Sequence, residues 1–373
     1  MELFPRQWIS KIMQGGLTKE ALVLEEILKS GDCKRAWELI REYKETDYAY
    51  YLRQASRIAH ITTRNHSAPL RLYFDGFWKD FIASRSPLFL IFELAYQGLG
   101  KLAIVQSPET ADIAIYSCFS GNLPSKETSH CTRFLFLGEN VKPFFGPYDY
   151  SLSSHYRRFC RRNMYFPIWL YELLISFESL ISEEYQGLST KKLSSLIVEK
   201  YFDNYSGSAQ SWVKRSNSPI FIGSNYEPHR LELINCLEDF AISVEVFGTG
   251  YRPVKNKMGC LGMYKINICP ENSISAGYIT EKLLHGIGAG CKTIYWGGLP
   301  ISAVKALRSA GHIILDEDSS IKSHLRILRD KEYILKPPDQ NKGGVYLKKA
   351  VRITISRLAR DLRSILRIYT RTY

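Results

Sequence analysis

No stretch of this 373-residue chain reaches the ~18 consecutive apolar residues that a membrane span needs. The nearest, PLFLIFELAY at 87–96, is short and carries Glu93, which suits a buried element better than a span. The first residues, MELFPRQWISK, have neither the basic start nor the apolar run of a secretory signal, so a cytosolic location is expected. The eight cysteines include no CxxC pair and several sit inside apolar runs, the pattern of reduced core thiols rather than of metal ligands or disulfides. No tandem repeat is present. What the chain has in excess is positive charge, a net +13, which favours an anionic partner: nucleotide phosphates, nucleic acid or acidic lipid. Its 45% hydrophobic content and its length suit a soluble protein of two ordinary domains.

The most informative stretch is residues 265–298, KINICPENSISAGYITEKLLHGIGAGCKTIYWGG. An apolar strand over 266–269 stops at Pro270, which cannot donate to a sheet ladder. Glu271, Asn272 and Ser273 then crowd the strand's end, and a loop through Gly277 and Tyr278 leads to Thr280-Glu281-Lys282, which opens a helix with Leu283, Leu284 and Ile287 at helical spacing. Gly286, Gly288 and Gly290 end that helix, and 293–296 reads as the next buried strand. Open α/β sheets bind ligands where strands end and helices begin, and a helix N-terminus there favours phosphate. An ordinary strand-to-helix junction has the same pattern.

Residues 264–284, YKINICPENSISAGYITEKLL, resemble the signature of the α-1,3/1,4-fucosyltransferases, in which a YKF, a FENS and a Y-[VI]-T-E-K segment follow closely. Tyr264, Lys265, Asn267, Glu271, Asn272, Ser273, Tyr278, Thr280, Glu281 and Lys282 match in order; Cys269-Pro270 departs from the family's usual apolar pair. A second match is the strand TRFLFL at 132–137, which runs into Gly138-Glu139-Asn140 and on to Pro143 and Asp149-Tyr150, as a T-G-E-N and a D-Y-A segment do in the family. Ser224-Asn225, Pro228-His229-Arg230 and the glycine turn Gly248-Thr249-Gly250 fall where the family has an S-N segment ending in P-x-R and a glycine-rich stretch. Residues 313–317 match its apolar strand with an acidic end, and 157–174 match an R-x-P-L-x-L segment loosely.

The resemblance covers roughly residues 68–330 and implies an α/β chain of GT-B architecture, two Rossmann-like domains facing across a cleft. It implies inverting transfer of L-fucose from GDP-fucose to a GlcNAc-type hydroxyl of an oligosaccharide. Glu139 would be the base and Glu281 a catalytic carboxylate facing the fucose or the ribose; Asn225, Arg230, Gly248, Gly250, Glu271, Asn272, Tyr278, Thr280 and Lys282 would bind the donor. Arg230 and Lys282 would offset the diphosphate charge, and Glu139 and Glu281 would come from opposite domains. No D-x-D pair stands near the 265–298 stretch, so no metal ligand is expected; a divalent ion is not required, although it could stimulate.

Alternating strands and helices from residue 68 onward indicate parallel sheets. The expected organisation is a helical extension over 1–66, an acceptor-side domain over 67–185, a donor domain over 186–345 and a basic amphipathic tail over 346–373. The interdomain crossing is placed in the polar stretch 183–218, and the extension offers a packing or oligomer surface. The tail carries eight Lys or Arg against Asp361 alone, with Val351, Ile355, Leu358, Leu362, Ile365 and Tyr369 on one helical face. Such a helix fits either the inner surface of an anionic membrane or a packed final helix with a solvated basic side. Together these readings favour a fucosyltransferase that builds a surface glycan, a lipopolysaccharide of Lewis-antigen type, from the cytosolic side. The alternatives are a GT-B transferase for another nucleotide sugar, an inactive glycan-binding protein, and a nucleic-acid-binding protein. The last is suggested by the basic, aromatic stretch 157–174 but has no nucleic-acid motif, so no nucleic-acid partner is expected.

Overall fold

The computed structural model of the protein describes residues 48–119, 124, 126–142, 147–155, 162–175, 188–206, 211–224, 227–239, 242–315 and 330–370. The chain divides into two compact units, Met1–Phe166 with Glu178–Gly187 and Thr354–Tyr373, and Pro167–Phe177 with Leu188–Ile353.

The first unit opens with helix α1 (Tyr48–Thr63) and builds a six-stranded sheet from β1 (Leu70–Asp75), β2 (Leu102–Ile104), β3 (Ile113–Ser117), β4 (Thr132–Phe136), β5 (Tyr150–Ser153) and β6 (Asn163–Tyr165). Every pairing is parallel and the order is β2-β1-β3-β4-β5-β6. All residues of β3, β4 and β5 are buried, as strands covered on both faces must be. Helix α2 (Pro87–Tyr96) is the apolar run noted above. Pro87 suits its first turn, the Ser86 hydroxyl accepts from the Phe89 amide, and Glu93 is its half-buried carboxylate.

The second unit contains α3 (Ile168–Ile175), α4 (Thr190–Ser206), β7 (Ile220–Ile222), α5 (Pro228–Glu238), β8 (Glu245–Phe247), α6 (Lys257–Leu261), β9 (Ile266–Pro270), α7 (Glu281–Gly288), β10 (Lys292–Trp296), α8 (Ile301–Ser309), β11 (Ile313–Ile314), α9 (Lys331–Leu335) and the first part of α10 (Gln340–Leu366), whose residues from Thr354 onward belong to the first unit. Its five strands are also parallel, in the order β8-β7-β9-β10-β11. The two sheets share one topology. Counting within each unit, the second strand lies beside the first and the third lies on its other side. Each sheet therefore has a switch point, β1/β3 in one and β7/β9 in the other, where successive connections leave in opposite directions and a ligand crevice forms at the strands' carboxyl ends.

The stretch expected to be an interdomain crossing contains a full helix. Leu193, Ile197, Val198 and Tyr201 of α4 are buried at helical spacing, a stripe hidden by the polar residues around it. The amino ends of the strands of the first sheet hold a buried ionic layer. Asp149, just before β5, accepts from Arg53 and Gln54 of α1 and from the Arg133 amide, and Arg57 lies 3.5 Å away. Asp112, just before β3, meets His60 at 2.8 Å, Arg64 at 3.2 Å and both the amide and the guanidinium of Arg71. Burial raises both carboxyls, but these partners outweigh it and hold each well below the usual carboxylate range. The described part of the N-terminal extension is thus bound to the sheet; residues 1–47 lie outside the described residues.

Of the two readings of the basic tail, packing is the one its apolar face takes up. Val351, Ile355, Leu358, Leu362, Ile365 and Tyr369 are all buried, and the Tyr369 hydroxyl donates to the Asp112 carbonyl at 3.1 Å. Lys348, Lys349, Arg352, Arg357, Arg360 and Arg367 stay on the solvent side. Among the described residues no helix is long and apolar enough to cross a membrane. The six described cysteines are free thiols, and burial pushes those of Cys131 and Cys291 up to about 12.

Candidate active site

The carboxyl ends of β7 and β9, the switch point of the second sheet, bring together residues far apart in sequence. Arg230, in the first turn of α5 after β7, donates through Nη2 to the Pro270 carbonyl at 3.1 Å and to Asn272 Oδ1. Its guanidinium is buried, 6.0 Å from the centre of the Phe221 ring, and desolvation lowers its pKa. It holds the loop that leaves β9.

Glu271 follows β9 directly and has no exposed surface. Its Oε1 accepts from the Thr280 amide at 2.7 Å and the Tyr295 hydroxyl at 2.9 Å, and its Oε2 accepts from the Thr280 hydroxyl at 2.7 Å. Lys282 Nζ lies 3.5 Å from Oε2 and donates to the Thr280 hydroxyl at 3.0 Å. Thr280 is the N-cap of α7 and accepts from the Lys282 amide. A carboxylate thus sits at the positive end of α7, where the helix dipole favours it, with a lysine beside it. Thr280 and Tyr278 are themselves buried, and Gly277 ties the loop back through its amide to the Gly298 carbonyl at 2.9 Å. Gly298 has no room for a side chain, since a Cβ would stand 1.7 Å from the Ser275 carbonyl oxygen.

The residues with surface to offer are Lys282 and Glu281, whose side chains are 15% and 25% exposed, and the half-buried Asn272. Glu281 Oε1 lies 3.8 Å from Lys282 Nζ and accepts from Lys257 Nζ, in α6, at 3.3 Å. Burial alone would raise the Glu281 carboxyl, but Lys282 and Lys257, helped by His285, bring it down to about 2. A depressed carboxyl contributes stability that is present above the unfolded value, about 4.3, and is lost as pH falls toward the folded one. Urea unfolding followed between about pH 5 and pH 2 should therefore show a steeper loss of stability in the wild type than in Glu281→Gln. Parallel curves would remove the two-lysine account of this site.

The glycine turn closes another side. Gly248 has φ +130°, and a Cβ there would fall 2.0 Å from the Gly223 carbonyl oxygen, so the ends of β7 and β8 touch backbone to backbone. Gly250 also has positive φ. Asn225 lies outside the described residues. The structure thus gathers Arg230, Glu271, Asn272, Thr280, Glu281 and Lys282 around the ends of β7 and β9 and places Gly248 after β8. Lys257 and Tyr295 belong to the same network and were not singled out from sequence, because neither lies in a matched segment. Among the described residues no three His, Cys, Asp or Glu side chains group as a metal site would.

In the first unit, Glu139 follows β4 after Gly138 and is exposed, with its carbonyl accepting from the Val141 amide at 2.8 Å. Asp149 of the same matched region takes no part at that end, being held in the ionic layer at the amino ends of the strands. Pro143 lies outside the described residues.

Two doubly wound parallel sheets of one topology, one with cations and carboxylates gathered at its switch point, are the architecture of the two-domain glycosyltransferases. Residues 72–172 match the Alpha-(1,3)-fucosyltransferase FucT N-terminal domain. A Helicobacter pylori protein, Alpha-(1,3)-fucosyltransferase FucT, is 26% identical over 253 residues, 61% of this chain and 50% of its own length, so the chain spans about half of that curated relative. Solved structures of an alpha1,3-fucosyltransferase have the same fold: one has a TM-score of 0.53 at 20% identity, covering 78% of this chain and 92% of its own. Another, with GDP-fucose, has 0.51 at 19%, covering 80% and 96%. The chain shares the GT-B fold of these structures.

Proposed function

We propose that this protein is an inverting α-1,3-fucosyltransferase that moves L-fucose from GDP-fucose to a GlcNAc-type hydroxyl of a surface oligosaccharide. The observation that carries this reading is the grouping of Lys282, Glu281 and Asn272 with the buried Arg230 and Glu271 at the β7/β9 switch point, in a chain whose residues 72–172 match the fucosyltransferase N-terminal domain. GDP and GDP-fucose are the ligands named with related structures.

Transfer forms a bond from the acceptor oxygen to the anomeric carbon and breaks the bond from that carbon to the diphosphate. Glu139 takes the acceptor's proton as the new bond forms on the face opposite the leaving group. Lys282, supported by the charge of Arg230 beneath the Asn272 loop, offsets the negative charge gathering on GDP. Glu281, ionised at every working pH, favours the positive charge that builds on the sugar ring. With two cations in place no metal is needed for charge, although a divalent ion could stimulate. The tail's solvent side suits electrostatic attraction to an anionic membrane from the cytosol.

Calorimetric titration with GDP, UDP, CMP and ADP, followed by transfer assays with GDP-fucose and N-acetyllactosamine, tests the reading. Selective binding of GDP together with transfer is the expected result; equal affinity for all four nucleotides would overturn it. Glu139→Ala should lower transfer by about 10²- to 10⁴-fold, the usual worth of a general base, with GDP affinity unchanged. Loss of GDP binding in that variant would move Glu139 out of the base role.

A further inference from the structure

The carboxyl end of the first sheet carries an aromatic cluster that the mechanism above does not use. Phe77 and Trp78 leave β1 just after Gly76, Phe119 follows β3, and Phe136 ends β4, so residues from the β1/β3 switch point meet beside the strand that delivers Glu139. Phe77 stacks on Phe81 with ring centres 4.0 Å apart and lies against Phe136 at 6.2 Å. On this base stand Trp78 and Phe119, 6.0 Å apart at 79°, an edge-to-face pair. They stay 40% and 49% exposed. Phe119 also lies against the backbone ahead of Glu139, since a Cβ on Gly138 would stand 2.9 Å from its ring.

We infer that Trp78 and Phe119 form the platform on which the acceptor sugar stacks, and that its ligand is a β-linked hexopyranose presenting a C–H face. This rests on the transferase reading above. A pyranose of that kind has hydrogens on one face and hydroxyls round its rim. The weakly positive C–H groups suit the negative face of an aromatic ring. The hydroxyls suit the carboxylates at the same strand ends, Asp75 ending β1 and Glu139 following β4. A nucleotide base would also stack on these rings, but its phosphates would meet those carboxylates. Charge therefore favours a neutral sugar. An aromatic pair held on strand ends also sets which ring face and which hydroxyl are turned toward Glu139, so it acts on acceptor choice.

The test uses the full chain and a panel of lactose, N-acetyllactosamine and lacto-N-biose. Trp78→Ala and Phe119→Ala should each raise acceptor KM by about tenfold to a hundredfold, the effect of losing one aromatic contact face. The KM for GDP-fucose and the GDP affinity should not move, and Trp78→Phe should recover most of the loss. Independently of turnover, saccharide titration should change the intrinsic fluorescence of the wild type, and Trp78→Phe should remove that change. Unchanged acceptor KM in both alanine variants, or no saccharide-dependent signal assigned to Trp78, overturns the platform. Saccharide binding at Trp78 in a protein that neither binds GDP nor transfers fucose would leave the platform standing and overturn the transferase reading instead.

Discussion

Replacing Glu271 by alanine should lower the melting temperature by roughly 6–20 °C. The estimate follows from the ~3–5 kcal/mol lost when one partner of a buried charge pair is removed, at ~2–4 °C per kcal/mol for a domain of this size. The carboxylate accepts from the Thr280 amide, the Thr280 hydroxyl and the Tyr295 hydroxyl and sits beside Lys282, so its removal leaves three buried donors and an ammonium group without their acceptor. The start of α7 and the end of β10 would both loosen, and GDP affinity would fall with them. Glutamine, which keeps one carbonyl acceptor but turns an amide toward those donors, should give an intermediate loss. Differential scanning calorimetry of the three proteins decides the matter. A melting temperature unmoved in Glu271→Ala would mean that the residue faces ligand rather than framework.

Lys282→Ala should weaken GDP binding by about 10- to 150-fold, the range for losing a hydrogen bond to a charged group at ~1.5–3 kcal/mol. Its melting temperature should fall less than that of Glu271→Ala, because Glu271 keeps its bonds to Thr280 and Tyr295. Lys282→Arg should restore part of the affinity by keeping the charge. Since Lys282 lies 3.5 Å from Glu271 and 3.8 Å from Glu281, double variants with either should be non-additive. Calorimetric titration with GDP checks each, and an affinity within twofold of wild type in Lys282→Ala would remove the lysine from diphosphate recognition.

Much of the fold was legible because its signals are local. Apolar runs that stop at Gly or Pro mark β4, β9 and β10, and the matched segments around Glu139 and Glu281 fall at strand ends as expected. β5 and β6 were not read as strands, since YSLS and NMY are too short and too mixed to show a period, and their burial comes from neighbours in the sheet. α4 was missed for a related reason, its four apolar positions being outnumbered by Ser and Lys. Within the site, sequence order could nominate Glu271 and Glu281 alike but could not show which way each points. One is sealed against Tyr295, 24 residues away, and the other reaches Lys257 in another helix. Direction is a tertiary property. The matched Asp149 illustrates the same point from the other unit, as a motif residue that proves to be framework.

The buried ionic layer of the first sheet has a further consequence. Asp112 and Asp149 anchor the amino ends of β3 and β5, and Thr132 anchors that of β4 through Arg57 and Tyr369, while the aromatic pair and Glu139 occupy the opposite edge. On the acceptor reading proposed above, resistance to unfolding and chemical selectivity are written at opposite ends of the same few strands. The buried ion pairs lie at the end away from Glu139, so exchanges at the exposed Trp78 and Phe119 leave them in place. A lineage built this way can explore new acceptors by trading aromatic residues on one rim while the other rim stays as it is.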